Sequence, residues 1–268
     1  MPEFDHLIVT ISDGVLTVVL NRPEVHNAFN AKVLRELTAV FTIADQRSDV
    51  RVVVLEGAGR SFCAGADLGW MSAMIHYTED ENVRDSEAMA TMFRMLNDCP
   101  KPTIAKVGGA ALGGGVGIVA AVDMTICSTE AVFALSEVRL GLVPAVISPY
   151  VLRRIGPGAA RRYFLTGERF GAEVALRLGL VSEVVSSDQL DSATQVVISS
   201  VLRGGPVALT AAKQLIQNVP YLSSSEEDGY TTRVIAGLRV GQEGQEGMSA
   251  FLNKKPARWV VPTGGQKP

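Results

Sequence analysis

Residues 111–124 read ALGGGVGIVAAVDM. An apolar strand pattern runs directly into three consecutive glycines, and an apolar helix pattern runs directly out of them. Glycine costs backbone entropy and offers no side chain to pack, so a purely structural turn needs one at most. The chain must therefore bring something against bare main chain at Gly113, Gly114 and Gly115. A second stretch, FCAGAD at 62–67, has the same build of apolar run, small residues and helix pattern. Any fold for this chain has to accommodate two such strand-to-helix turns.

The rest of the pattern supplies the frame. LIVTISDGVLTVVL (7–20) reads as a hairpin turning at Asp13-Gly14. Asn30 is a candidate N-cap for the helix AKVLRELTAVFTIADQ. VRVVVLEGAG is a β-branched run that suits a buried strand. ENVRDSEAMATMFRMLNDC reads as an amphipathic helix stopped by Pro100 and Pro102, and TIAKVGGAAL as one strand. MTICST, AVFAL and VSEVV read as short strands, with a helical stretch from Pro149 to about Val181 broken at Gly156-Pro157-Gly158. Beyond Gly204-Gly205-Pro206 only helix pattern remains. The expectation is an α/β core over residues 1–203 and a helical C-terminal part over 204–268. No clear internal sequence repeat is visible.

Charge and composition exclude several classes. With 25 Lys and Arg against 28 Asp and Glu, the net charge is −3, without a basic stripe of the kind nucleic acids require. Cys63, Cys99 and Cys127 show no metal-ligand spacing, and an odd, low count suits free thiols in a reducing compartment. The start MPEFDHLIVT lacks a signal-peptide pattern, and no apolar run is long enough to span a bilayer. The expectation is a cytoplasmic protein without membrane or nucleic-acid partners and without a metal site.

Helix N-termini present unpaired N–H groups and the positive end of the helix dipole. Two such ends facing one point would supply paired donors for a developing oxyanion. A tight turn or a phosphate loop would explain either stretch alone, although no G-x-x-x-x-G-K-[ST] is present. Glu137, in AVFALSEVRLGLVPA (131–145), follows an apolar strand pattern. It is either an ordinary loop glutamate or an acid whose pKa is raised for proton transfer. Cys63 reads as a small residue packed behind its turn. The acidic run YTEDEN (77–82) reads as a solvated helix start, and also as the one neighbouring segment with carboxylates to lend.

These stretches, in this order and spacing, resemble the crotonase (enoyl-CoA hydratase/isomerase) superfamily. NRPEVHNAFN is similar to its loop beside bound coenzyme A, FCAGADL and ALGGGVGIVAAVDM to its two oxyanion-hole segments, and EGMSAFLNKKPARW to its closing signature. The resemblance implies a spiral of strand–strand–helix units. It also implies a helical C-terminal region that assembles a homotrimer or homohexamer, and an acyl-CoA thioester substrate with no separate cofactor. Carried over by position, the oxyanion donors are the N–H groups of Ala66 and Gly114, and the catalytic carboxylate is Glu137. Val25, His26, Ala64, Asp67, Leu68 and Gly113 fall at positions that contact coenzyme A or substrate. A second glutamate of typical hydratases aligns with Gly117, so that position is vacated here.

FALSEVRLGLVPAVISPYV and ARRYFLTGERF are similar to a bacterial branch acting on 3-methylglutaconyl-CoA and isohexenylglutaconyl-CoA. That resemblance implies water addition to a branched enoyl-CoA. Gly117 would give the branch room unless it serves only to pack its helix tightly against a neighbouring strand, and Arg139 would meet a distal carboxylate unless it is simply solvated. Isomerisation of a 3-enoyl to a 2-enoyl-CoA with one glutamate, and acyl-CoA binding without turnover, are the alternatives. Trp70 and Met71 are candidates for the acyl pocket or the core. Lys254 and Lys255 are candidates for phosphate contact or a solvated tail.

Overall fold

The computed structural model describes residues 2–260. The chain opens with the hairpin β1 (Leu7–Ser12) and β2 (Val15–Leu20), paired antiparallel around Asp13-Gly14, followed by α1 (Ala31–Gln46). The Asn30 side chain accepts from Val33 N–H, as its N-cap position predicts. Next come β3 (Val52–Gly57), β4 (Ser61–Cys63), α2 (Leu68–Met74) and α3 (Glu79–Asn97). Then follow β5 (Thr103–Val107), β6 (Ala110–Leu112) and α4 (Gly114–Ala121), and after them β7 (Met124–Ser128), β8 (Val132–Ala134) and α5 (Ser148–Thr166). The core closes with β9 (Arg169–Gly171), α6 (Ala172–Arg177) and β10 (Glu183–Val185). Four helices end the described chain: α7 (Leu190–Leu202), α8 (Pro206–Asn218), α9 (Ser224–Val240) and α10 (Gln242–Leu252).

The strand–strand–helix unit that no sequence repeat betrays is plain in the topology. In three successive units the first strand joins a six-stranded sheet, ordered β1-β2-β3-β5-β7-β10, and the second joins a four-stranded sheet, ordered β4-β6-β8-β9. This is the spiral the family resemblance implies. The large sheet is covered on both faces. Val53 and Leu55 face the main core with Phe41 and Leu37, whereas Val52, Val54, Ile104 and Ile126 face Leu190, Ile198 and Val201 of α7. Two buried faces explain why β3 is a continuous apolar run rather than an alternating one.

Two sequence expectations need correction. TIAKVGGAAL is two strands, because the chain leaves the large sheet at Gly108-Gly109 and enters the small one. At Gly109 a Cβ would lie 3.0 Å from the Arg60 carbonyl carbon, so the crossing requires glycine. The helical stretch after Pro149 conceals a short strand, β9, whose three residues pair antiparallel with β8. The break within α5 falls at Gly156, with φ 69°. The all-helical region begins at α7, which still packs on the large sheet. Helices α9 and α10 bury no residue and leave Val240, Phe251 and Leu252 about four-fifths exposed. No single helix among the described residues is long and apolar enough to cross a membrane.

Candidate active site

The small sheet positions the site. Strands β4, β6 and β8 are parallel neighbours, so their carboxyl ends lie side by side. The first glycine-rich turn leaves β4, the second leaves β6, and Glu137 follows β8. Ligands of open α/β sheets bind in this position, outside the carboxyl ends of the strands. Three segments far apart in sequence thus converge because three short strands share one edge.

Phe29 connects the two turns. Its backbone forms an isolated parallel bridge to Ala66: Phe29 N–H donates to Gly65 O at 2.7 Å, and Asp67 N–H donates to Phe29 O at 2.7 Å. The bridge engages the peptide groups on either side and leaves Ala66 N–H without a backbone acceptor among the described residues. The Phe29 ring lies against Gly114, where a Cβ would come within 2.6 Å of it. Gly114 opens α4, so its N–H has no intrahelical acceptor. The second turn also touches the first directly. A Cβ on Gly115 would overlap the Cys63 carbonyl oxygen, and one on Gly113 would lie 3.8 Å from Gly65 Cα. Gly113 has φ 49° and Gly65 φ 94°, in the left-handed region that glycine favours. The three consecutive glycines therefore answer to three contacts, with Glu137, Phe29 and Cys63.

Glu137 begins a short 3-10 helix, Glu137–Leu140. Its Oε1 would lie 3.1 Å from a Cβ on Gly113. Its Oε2 is buried without a hydrogen-bond partner. Burial pushes the carboxyl above its ordinary pKa. A buried carboxylate oxygen left unpaired in native structure calls for an explanation. Here the orphaned oxygen belongs to a carboxyl that lies against Gly113, the residue before Gly114, where it can take or give a proton.

The first turn is held by side chains. Asp67 caps α2, accepting from Gly69 N–H at 2.8 Å and Trp70 N–H at 3.2 Å, and pairs with Arg22 Nη2 at 2.8 Å. Arg22 also donates to Ala28 O at 2.8 Å, beside the Phe29 bridge. The Asp67 carboxylate is held below the usual range by Arg22 and the two cap N–H groups, against the opposing effect of burial. Asp67 thus positions the turn. Asn27, buried, donates to Ala58 O and Ser61 O at 2.9 and 2.7 Å, and Ala64 N–H donates to His26 O at 3.0 Å. His26 Nδ1 lies 3.1 Å from Ser61 Oγ. The backbone of Val25 and His26 therefore runs alongside Ala64, while Leu68 is exposed at the mouth. Sequence reasoning missed Arg22 and Phe29; a lone phenylalanine in the polar run NRPEVHNAFN was the available signal for the latter.

Other candidates separate. Arg139 donates to Thr166 O at the end of α5, at 3.4 Å from both Nε and Nη2, and lines a cavity of about 270 Å³ with Leu112, Ala134 and Ser136. Trp70 is buried and donates from Nε1 to Asp85 at 3.0 Å. Cys63 is buried behind the turn, and burial pushes its thiol up to about 12. In the acidic run, Glu81 closes a capping box with Thr78. Glu79 lines an open groove of about 390 Å³ with Val83, Ala90 and Val146. Lys254 and Lys255 are exposed. Among the described residues no three His, Cys, Asp or Glu gather as metal ligands.

The room expected at Gly117 is absent. A Cβ there would overlap Ile147 Cγ2 and lie 2.8 Å from the Phe93 ring. Both side chains are buried, and apolar atoms occupy the volume that a substrate branch was expected to fill.

The sequence profile of the enoyl-CoA hydratase/isomerase family matches residues 10–261. A Legionella pneumophila protein assigned as an enoyl-CoA hydratase/isomerase (crotonase) is 44% identical, with a TM-score of 0.91 over 96% of this chain and 100% of that one. An enoyl-CoA hydratase from Shewanella pealeana is 38% identical, with a TM-score of 0.93 over 96% and 97% of the two chains. The short-chain-enoyl-CoA hydratase of Clostridium acetobutylicum is 31% identical over 94% of this chain and 97% of its own.

Proposed function

The chain belongs to the enoyl-CoA hydratase/isomerase family and is an enzyme of it, and from that premise we propose that it adds water reversibly to a branched 2-enoyl-CoA with Glu137 as its one catalytic carboxylate. The observation that carries this reading is the buried, unpartnered Oε2 of Glu137 beside the second oxyanion turn. The thioester carbonyl accepts from Ala66 N–H and Gly114 N–H, which stabilise the enolate as charge moves onto oxygen. Glu137 takes a proton from water as it attacks C3, and the carboxylic acid so formed returns that proton to C2. Addition to one face lets a single carboxyl perform both steps. A carboxyl raised in pKa by burial suits the double role, because the acid form it passes through is less disfavoured than in an exposed glutamate. No cofactor enters the scheme, since coenzyme A is part of the substrate.

A methyl-branched substrate such as 3-methylglutaconyl-CoA remains the first substrate class, supported by the similarity of 133–151 and 160–170 to the bacterial branch noted above. Gly117, covered by Ile147 and Phe93, offers no hole for its branch. One observation favours a second reading, 3-enoyl to 2-enoyl isomerisation: position 117, a glycine covered by Ile147 and Phe93, supplies no second acid. Mass spectrometry separates the two. Purified protein supplied with 3-methylglutaconyl-CoA and crotonyl-CoA should yield products one water heavier, and Glu137→Gln should not. Unchanged mass with a migrated double bond would assign isomerisation. The exposed apolar side chains of α9 and α10, Phe251 and Val240 among them, support assembly as a homotrimer or homohexamer. Sedimentation giving a monomer would refute that assembly.

A further inference from the structure

Helix α4 carries Gly114 at its first position, and its eight residues, GGVGIVAA, include no polar side chain. All but Gly114 are buried. Apolar packing of this kind is non-directional. Near the N-terminal end, the approach of Gly114 to Phe29 and of Gly115 to Cys63 limits how close the helix can come. Such contact does not draw it in. At the C-terminal end the contacts are directional. The last carbonyls of a helix have no intrahelical donor, and Arg154 of α5 supplies one here. Its Nε donates to Ala120 O at 3.0 Å, and its Nη2 donates to Asp123 O at 2.9 Å and to Val122 O. Asp123 is held in turn. Its N–H donates to Thr103 Oγ1 at 2.9 Å, and its carboxylate accepts from Thr103 N–H and from Lys213 of α8, each at 2.7 Å. One guanidinium fork therefore joins the far end of the glycine-led helix to α5, within a network anchored on β5 and α8.

We propose that Arg154 is a positioning residue: its grip on the carbonyls at the C-terminal end of α4 sets where Gly114 N–H stands at the other end, about 12 Å away. The inference rests on the reading that the thioester oxygen accepts from Gly114 N–H. A hydrogen-bonded helix of two turns moves as one rod, so slack at one end appears at the other. A misplacement of about 1 Å at a reacting group can cost about a hundredfold in rate. The fork matters as well as the charge. A guanidinium holds its donors at fixed angles and reaches several carbonyls at once, whereas a lysine ammonium is a point charge on a flexible stem.

The test compares Arg154→Lys and Arg154→Met with Arg51→Met in the full-length protein. Arg51 is the matched control: its guanidinium donates to Leu202 O at 3.5 Å and to Gly204 O at 2.6 Å, at the end of α7 and not of α4. The probe is butyryl-CoA labelled with heavy carbon at its carbonyl. It has no double bond to hydrate or move, and isotope-edited infrared reads how strongly its bound carbonyl is polarised. In the wild type the carbonyl band should lie below that of the free thioester. Both Arg154 variants should return it toward the free value, Arg154→Met further than Arg154→Lys. Hydration of crotonyl-CoA should fall with it, by about tenfold or more in kcat with KM changed by less than about threefold. Arg51→Met should lower the unfolding temperature and leave the band and kcat as they are. Should Arg154→Met fail to fold, Arg154→Lys carries the same comparison. A lowered wild-type band that the Arg154 variants keep overturns the positioning role alone, as does a band that Arg51→Met moves equally. A wild-type band at the free value removes the oxyanion reading and takes the positioning role with it.

Discussion

The two turns proposed to offer the oxyanion donors are built by opposite means. The first, around Ala66, is tied by side chains: Asp67 caps α2, Arg22 pairs with Asp67, and the Phe29 strand bridge fixes the peptides on either side. The second, around Gly114, has no side chain of its own to hold it. Its position comes from how closely Glu137, Phe29, Cys63, Ile147 and Phe93 approach its glycines. A turn held by polar ties can lose one tie and keep the others. A turn held by close packing fails wherever an atom is added.

That difference orders the consequences of mutation. Gly115→Ala should be the most damaging, because its methyl group meets the backbone carbonyl of Cys63, which cannot rotate away. Both turns then move, and loss of an oxyanion donor costs about 10²–10³ in kcat. Overpacking adds about 1–3 kcal/mol of destabilisation. Steady-state kinetics beside thermal unfolding would check both. Gly114→Ala keeps its N–H but pushes on the Phe29 ring, a side chain with some freedom. Its loss of kcat should be smaller, and Phe29→Leu should relieve part of it, which would show that the ring and not the main chain is the obstacle.

Breaking the polar turn should cost less. Asp67→Ala removes an N-cap worth about 1 kcal/mol and unpairs Arg22, whose Nε is already without a partner. Activity should fall by less than in Gly115→Ala, and Arg22→Ala should reproduce the loss without adding to it, because the two residues act as a pair. A double-mutant cycle on kcat/KM reads the coupling. A smaller effect still is expected in stability against pH. Burial raises the Glu137 pKa in the folded protein. Stability conferred by the protonated form is therefore complete below the ordinary glutamate value of about 4.3 and is lost as pH rises through the raised one. Glu137→Gln should match the wild type in acid and exceed it at neutral pH, as chemical denaturation at both pH values would reveal. Equal stability throughout would remove burial as the cause of the raised value.

The sequence made the polar turn partly readable and the packed one hardly at all. Asn30 as a cap, the Asp13-Gly14 hairpin and the helix-opening glycines are local signals, decided by residues a few positions apart. The Asp67–Arg22 pair spans 45 positions, and no local pattern indicates it. Three glycines announce that something comes close, but not that it is Glu137, Phe29 and Cys63. Gly117 illustrates the limit. Absence of a side chain suits room for substrate and tight helix packing equally, and only the structure shows that Ile147 and Phe93, from outside α4, fill the space. Strand β9 escaped because three residues between helix patterns show no alternation, and only its pairing with β8 makes it a strand. The strand–strand–helix repeat is carried by backbone routing, which similar side chains need not mark.

The central claim is that one carboxyl, Glu137, moves every proton of the reaction. The most direct test is the pH dependence of kcat/KM for hydration, measured with the pantetheine thioester of crotonic acid so that no substrate phosphate titrates. The account predicts that the rate falls in acid through a single ionisation, displaced above the ordinary carboxylate range by burial of Glu137. A fall through two ionisations, or an added fall in alkali through a second protein acid, would contradict it.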